Sequence, residues 1–150
     1  MAALKGNEYY KLRSKDGRDK IFETPEALLD ACNEYFSWCL SNPLLETVVQ
    51  KIKVNRDEEQ IRLIEVPKMR AFTIQGLCNY IDISVDGFKL YEGREDFIGV
   101  TTRVRQIIYN QKFEGAASGF LNANIIARDL GLVDKSESKI NIEQPLFGDE

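Results

Sequence analysis

Apolar positions along the chain change their period several times, and each change marks an element. Leu28, Cys32, Tyr35, Phe36 and Cys39 recur at helical spacing between Thr24-Pro25-Glu26 and Asn42-Pro43. Threonine can cap free helix amides, proline at the first helical position has no donor to waste, and a residue before proline is pushed out of helical backbone. The pattern predicts a helix over 25–41. The period then shortens. Val48, Ile52 and Val54 fall at even spacing with Gln50 between them, and Ile61, Leu63 and Ile64 form a second β-rich run. Polar Asn55-Arg56-Asp57-Glu58-Glu59 separates them, so 45–66 reads as one long β-hairpin. A two-stranded hairpin is marginal in water, so this one needs a neighbour, either the rest of the domain or another subunit.

From Phe72 the helical period returns. Thr73 is the cap of a short helix through Tyr80, and Ser84 starts another through about Tyr91. Arg94-Glu95-Asp96 opens a longer helix, with Phe97, Val100, Val104, Ile107, Ile108 and Gln111 along one face and two acids in the first turn, where negative charge suits the helix dipole. Residues 113–121 are rich in glycine and alanine and permit close helix approach. Asn122 or Asn124 can cap a last helix, and Gly131-Leu132 reads as its glycine-terminated end. The predicted fold is mainly α with a long β-hairpin (α+β), containing a helix-turn-helix-like segment at 73–91 and a central helical hairpin. The helical core spans 24–132, between an arm over 1–23 and a tail over 133–150.

Composition narrows the chemistry. The 150 residues are 43% hydrophobic, enough for a real core, with no apolar run of membrane-spanning length and no apolar signal segment at the start. There is no histidine. That removes Ser-His-Asp and Cys-His catalysis, His-ligated zinc and the usual neutral-pH base. No phosphate-cradling glycine loop is present either. Cys32, Cys39 and Cys78 are an odd count that suggests reduced thiols in a cytosol. Cys32 and Cys39 share a helix face, where small core residues are a better reading than metal ligands. No cofactor and no metal are expected.

The net charge of -4 is unfavourable for nucleic-acid binding, yet charge is unevenly placed. Within residues 1–20, Lys5, Lys11, Arg13, Lys15, Arg18 and Lys20 stand against Glu8, Asp16 and Asp19, whereas the tail from Asp134 is acidic. Within 77–91 the helix-turn-helix logic is legible residue by residue. Leu77 and Ile81 face the core, Cys78 is small where the helices cross, and Asp82 takes a turn position usually held by glycine. Ile83 plugs the turn, Ser84 caps, and Phe88 and Tyr91 anchor. The second helix offers Val85, Asp86 and Gly87 where a DNA-reading helix wants basic or amide side chains, and Lys89 is its sole base. The candidate DNA-binding residues are therefore Lys11, Arg13, Lys15, Arg18 and Lys20 of the arm, with Lys89, Arg94, Arg103 and Arg105. Arg94, Arg103, Arg105 and Lys112 form either a DNA-facing stripe or a solvated face balanced by Glu95, Asp96 and Glu114. Asp57-Glu58-Glu59 reads as a charged hairpin tip that discourages edge pairing, with cation binding the lesser alternative.

Several stretches resemble the small terminase subunit of headful-packaging tailed phages, of the podovirus type. These are Ala3-Leu4-Lys5-Gly6-Asn7, Phe22 to Leu28, Glu34-Tyr35-Phe36 with Trp38, and Asn42-Pro43-Leu44. Lys68-Met69-Arg70-Ala71, Thr73-Ile74 and Arg94-Glu95-Asp96 continue the likeness. The densest part is Ile108-Tyr109, Gln111-Lys112-Phe113, Gly115-Ala116-Ala117 and Leu121 to Leu132. The resemblance implies a non-enzymatic homo-oligomeric ring of roughly eight to eleven copies, closed by cyclic symmetry. Such a ring recognises viral double-stranded DNA and recruits and stimulates the large terminase subunit, which supplies ATPase and nuclease. It implies work in the host cytoplasm and no membrane partner. The family's C-terminal region is typically basic, and here it is acidic. Repetition of a weak basic patch around a ring compensates for an acidic protomer. The alternatives are a small helix-turn-helix transcription regulator, or a nuclease using Asp57, Glu58 and Glu59.

Overall fold

A computed structural model describes residues 22–135. The order is α1 (Pro25–Ser41), β1 (Leu44–Asn55), β2 (Glu58–Lys68), α2 (Ile74–Ile81), α3 (Val85–Glu92), α4 (Ile98–Ala117) and α5 (Ala123–Asp129). The mixed α+β class predicted from periodicity is the class observed. The basic arm up to residue 21 and the tail from residue 136 lie outside the described residues. No helix among the described residues is long and apolar enough to cross a membrane.

Local chemistry sets the helix starts. Thr24, Thr73, Ser84 and Asn122 each accept a hydrogen bond from the amide three residues on, which satisfies one of the orphan donors of a first turn. Asp82 sits at φ 62°, ψ 48°, the left-handed turn that lets α2 and α3 meet. Gly131, at φ 69°, ends α5 as the glycine rule predicts, and the Leu132 amide donates to Ala127 O at 2.9 Å.

α4 begins later than the acidic pattern suggests. Glu95 and Asp96 belong to a turn ahead of the helix, whose first turn carries no acid, and Phe97 stands at the cap position without a side-chain cap. The reason is packing: Phe97 is fully buried, its ring tilted against Tyr91 at 4.9 Å, and this fixes the chain before the helix can start. α4 also stops at Ala117, so the Gly/Ala-rich stretch spans a helix end and a turn instead of one continuous helix. Within it, a Cβ on Gly115 would stand 2.7 Å from Leu121 Cδ1 and 3.0 Å from Met69 Sδ, so the close approach happens inside the chain.

One core unites α1 to α4. Leu28, Cys32, Tyr35, Phe36 and Cys39 of α1 pack with Leu77, Cys78 and Ile81 of α2, Phe88 and Tyr91 of α3, and Phe97, Val104 and Ile108 on the α4 side. Phe72 joins them, 4.6 Å from Phe36. Apolar transfer from water drives this assembly, and complementary packing makes it unique.

The hairpin departs from that compactness. β1 and β2 pair antiparallel from Leu44↔Lys68 to Asn55↔Glu58, with an irregularity at Val54. The reversal needs only Arg56-Asp57, so Glu58 and Glu59 lie in β2 and not in a five-residue turn. The strands pair with each other along their length, and no comparable packing joins either to a helix.

Candidate assembly and nucleic-acid surfaces

Register decides what the hairpin presents. Side chains alternate between faces, so paired positions share one. One face gathers Val48, Ile52, Ile64 and Val66; the other gathers Val49, Ile61 and Leu63. The second set is 59%, 69% and 68% exposed. Even spacing correctly placed Val48 and Ile52 together, but both faces are apolar. Charged Glu46, Arg62, Lys51, Lys53, Glu59 and Glu65 flank the apolar positions, which limits open-ended pairing.

The root of the hairpin is tied down. Arg70 Nε donates to Asn42 O at 2.7 Å, and Asn42 Nδ2 donates to Trp38 O at 2.9 Å. The Arg70 guanidinium lies 4.7 Å over the Trp38 ring. Gln111 of α4 then clamps the returning chain: its Nε2 donates to Arg70 O at 3.0 Å, and its Oε1 accepts from the Phe72 amide at 3.0 Å. Sequence reasoning placed Gln111 on the apolar face of α4 without a role. A polar amide on a buried face was the available signal, because such a group needs partners.

The helix-turn-helix-like unit presents a mixed outer face on α3. Asp86 has a side chain 92% exposed, and Leu90 is 74% exposed. Lys89 lies 4.0 Å from Asp86. This face combines an acid, a base and an apolar side chain, with nothing aimed to read base edges.

The remaining candidate bases do not form one stripe. Arg103 and Arg105 are two residues apart on a helix, so they point about 160° away from each other. Arg105 makes a two-point ion pair with Glu92, Nε to Oε2 at 2.7 Å and Nη2 to Oε1 at 2.6 Å. That bond raises its pKa above the usual arginine value. Lys112 is buried against α5 and donates to Asp129 at 2.6 Å. Arg103 is exposed and makes no ion pair among the described residues. Arg94 bonds Asp96 at 3.4 Å and lies over the Phe97 ring at 4.5 Å and the Tyr91 ring at 5.9 Å. Lys89, Arg105 and Lys112 do meet in a cleft of about 480 Å³ between the helices, but Asp86, Glu92 and Asp129 balance them one for one. Nothing local in the sequence foretold the Arg105–Glu92 pair, whose members are 13 positions apart.

Tyr91 organises a second feature. Its hydroxyl accepts from the Phe22 amide at 2.7 Å, and the Phe22 ring meets it edge-on at 6.0 Å. The described chain thus begins beside Arg94. Lys11, Arg13, Lys15, Arg18 and Lys20 all precede that point and lie outside the described residues. Hairpin-tip carboxylates Asp57, Glu58 and Glu59 remain exposed, and no cluster of three or more potential ligands for a metal ion occurs among the described residues.

These features define a helix-turn-helix-like α+β protein that carries a long hairpin with exposed apolar positions on it. A family profile described as DNA-packaging protein gp3 matches residues 17–138. The terminase small subunit of Salmonella phage P22 is 47% identical over 149 residues, covering 99% of this chain and 88% of that protein. The chain belongs to the gp3 family of phage DNA-packaging proteins, the small terminase subunits.

Proposed function

We propose that the protein is the non-enzymatic adaptor of a headful packaging motor. It closes into a ring, engages viral double-stranded DNA, and recruits and stimulates a large subunit that carries the ATPase and nuclease. The work takes place in the host cytoplasm. The observation that carries this reading is a hairpin with two apolar faces that no helix among the described residues covers along its length. A two-fold dimer covers one such face with its mate and leaves the other wet. In a head-to-tail ring every hairpin has a neighbour on each side, so both faces are covered. Each Val, Ile or Leu covered in this way contributes up to roughly 1.5–3 kcal/mol.

DNA engagement falls to the basic arm together with Arg94 and Arg103. Phe22 and Arg94 both contact Tyr91, so the arm is rooted where an exposed arginine already stands. Arg105 contributes less, because Glu92 holds it in a two-point pair, whereas Lys89 and Arg94 each have one exposed carboxylate nearby, Asp86 at 4.0 Å and Asp96 at 3.4 Å. Repetition around the ring multiplies weak phosphate contacts without a new bond in any protomer. Native mass spectrometry tests the reading. A closed ring of one dominant copy number is expected, and a monomer or simple dimer at working concentration overturns it.

A further inference from the structure

We infer that Arg70 and Gln111 are positioning residues that set the angle of the hairpin, and through it the copy number of the ring. The inference rests on the ring reading and deepens it. The hairpin is held to its own helical body mainly at the root. Its two chains enter and leave through Asn42-Pro43 and Lys68 to Phe72. Arg70 ties the leaving chain to the entering one through Asn42 O, and it is steered by the Trp38 ring beneath it. Gln111 ties the same segment to α4 from both ends of one amide, on Arg70 O and the Phe72 amide. A side chain that donates and accepts across two residues of backbone fixes orientation as well as distance. Phe72 is itself buried in the core against Phe36, so the clamp refers the hairpin to the packed core.

Ring closure makes that angle matter. Every subunit is rotated from its neighbour by a full turn divided by the copy number, and the step from about eight to about nine copies changes this by only about 5°. A long hairpin magnifies a small error at its root into a displacement at its tip. A loosened root therefore lets several copy numbers become nearly equal in free energy.

The experiment compares the parent chain with Gln111→Ala, Arg70→Ala and the surface control Gln106→Ala by native mass spectrometry. Far-UV circular dichroism is recorded on the same samples. The parent and Gln106→Ala are expected to give one dominant ring. Gln111→Ala and Arg70→Ala are expected to keep their helicity while the single copy number splits into neighbouring ones or falls to smaller assemblies. Gln111→Glu, which keeps the acceptor for the Phe72 amide but loses the donor to Arg70 O, is expected to fall between and serves as readout if Gln111→Ala loses its helices. Clamp variants that retain the parent's single ring overturn the inference, and so does loss of helicity in both Gln111 variants, which would make the residue a support of the core. A parent that forms no ring fails the ring reading itself, a result visible before any variant is made.

Discussion

At the scale of single residues, burial controls the chemistry of the three cysteines. Burial pushes the Cys32 thiol up to about 12, with nearby Cys78 adding to the shift, and pushes Cys78 itself up to about 11. Burial likewise raises Cys39 and carries Tyr35 up to about 12. Thiolate is the reactive form, so the native protein is expected to resist a thiol reagent at pH 8 and to release all three thiols on unfolding. Fast modification of any cysteine in folded protein would contradict this burial. The same shifts have a stability consequence. Once pH exceeds 9.0, the ordinary thiol value, the unfolded chain gives up protons that the folded chain retains, so stability falls as pH rises from about 9 toward 12. Asp82 provides a backbone test. A β-branched residue is poorly suited to its left-handed conformation, and Asp82→Val is expected to cost about 1–2 kcal/mol in a denaturant titration, whereas Asp82→Gly is tolerated.

At the scale of elements, the helices and the hairpin have different dependencies. Phe97 and Val104 are fully buried on the face that α4 turns to the core. Phe97→Asp or Val104→Asp puts an unpaired charge there, with an expected loss of about 3–5 kcal/mol and of the helical signal. The exposed hairpin face responds otherwise. Val49→Asp with Leu63→Asp is expected to leave far-UV helicity in place while assembly collapses, as followed by light scattering. An unchanged assembly would assign the ring contacts to another surface. α5 is held by Ile126, by the Lys112–Asp129 pair and by Leu121 above Gly115. Gly115→Val forces Leu121 and Met69 apart and is expected to loosen α5 before the rest, with a cost of about 1–3 kcal/mol typical of overpacking.

At the scale of the whole molecule, where the charges sit matters more than their sum. The chain is acidic overall, with its arm basic and its tail acidic. Changing Lys11, Arg13 and Lys15 together to glutamate is expected to weaken duplex binding and to flatten its salt dependence, by about 0.9 in the log–log slope for each phosphate the arm ceases to neutralise. Equal affinity and slope would move DNA contact away from the arm. The Arg105–Glu92 and Lys112–Asp129 pairs tie α4 to α3 and α5, whereas Lys89–Asp86 lies within α3 and joins no second helix.

What was legible from order alone has a common cause: it depends on residues within one or two turns of each other. The caps at Thr24, Thr73, Ser84 and Asn122, the left-handed Asp82 and the buried stripes of α1 and α4 are local, so spacing reveals them. The start of α4, misplaced by its acids, was decided by Phe97 finding Tyr91 in the core. The apparent basic stripe dissolved for the same reason. Arg105 meets Glu92 and Lys112 meets Asp129 because α3 and α5 pack on α4. The hairpin shows both regimes. Alternation announced its strands, but pairing register exposed two apolar faces, and Gln111 reached Arg70 across 41 positions to fix its root. Short-range hydrogen bonds and periodicity are properties of the chain, whereas partners for charges and amides are chosen by the packing that brings distant segments together.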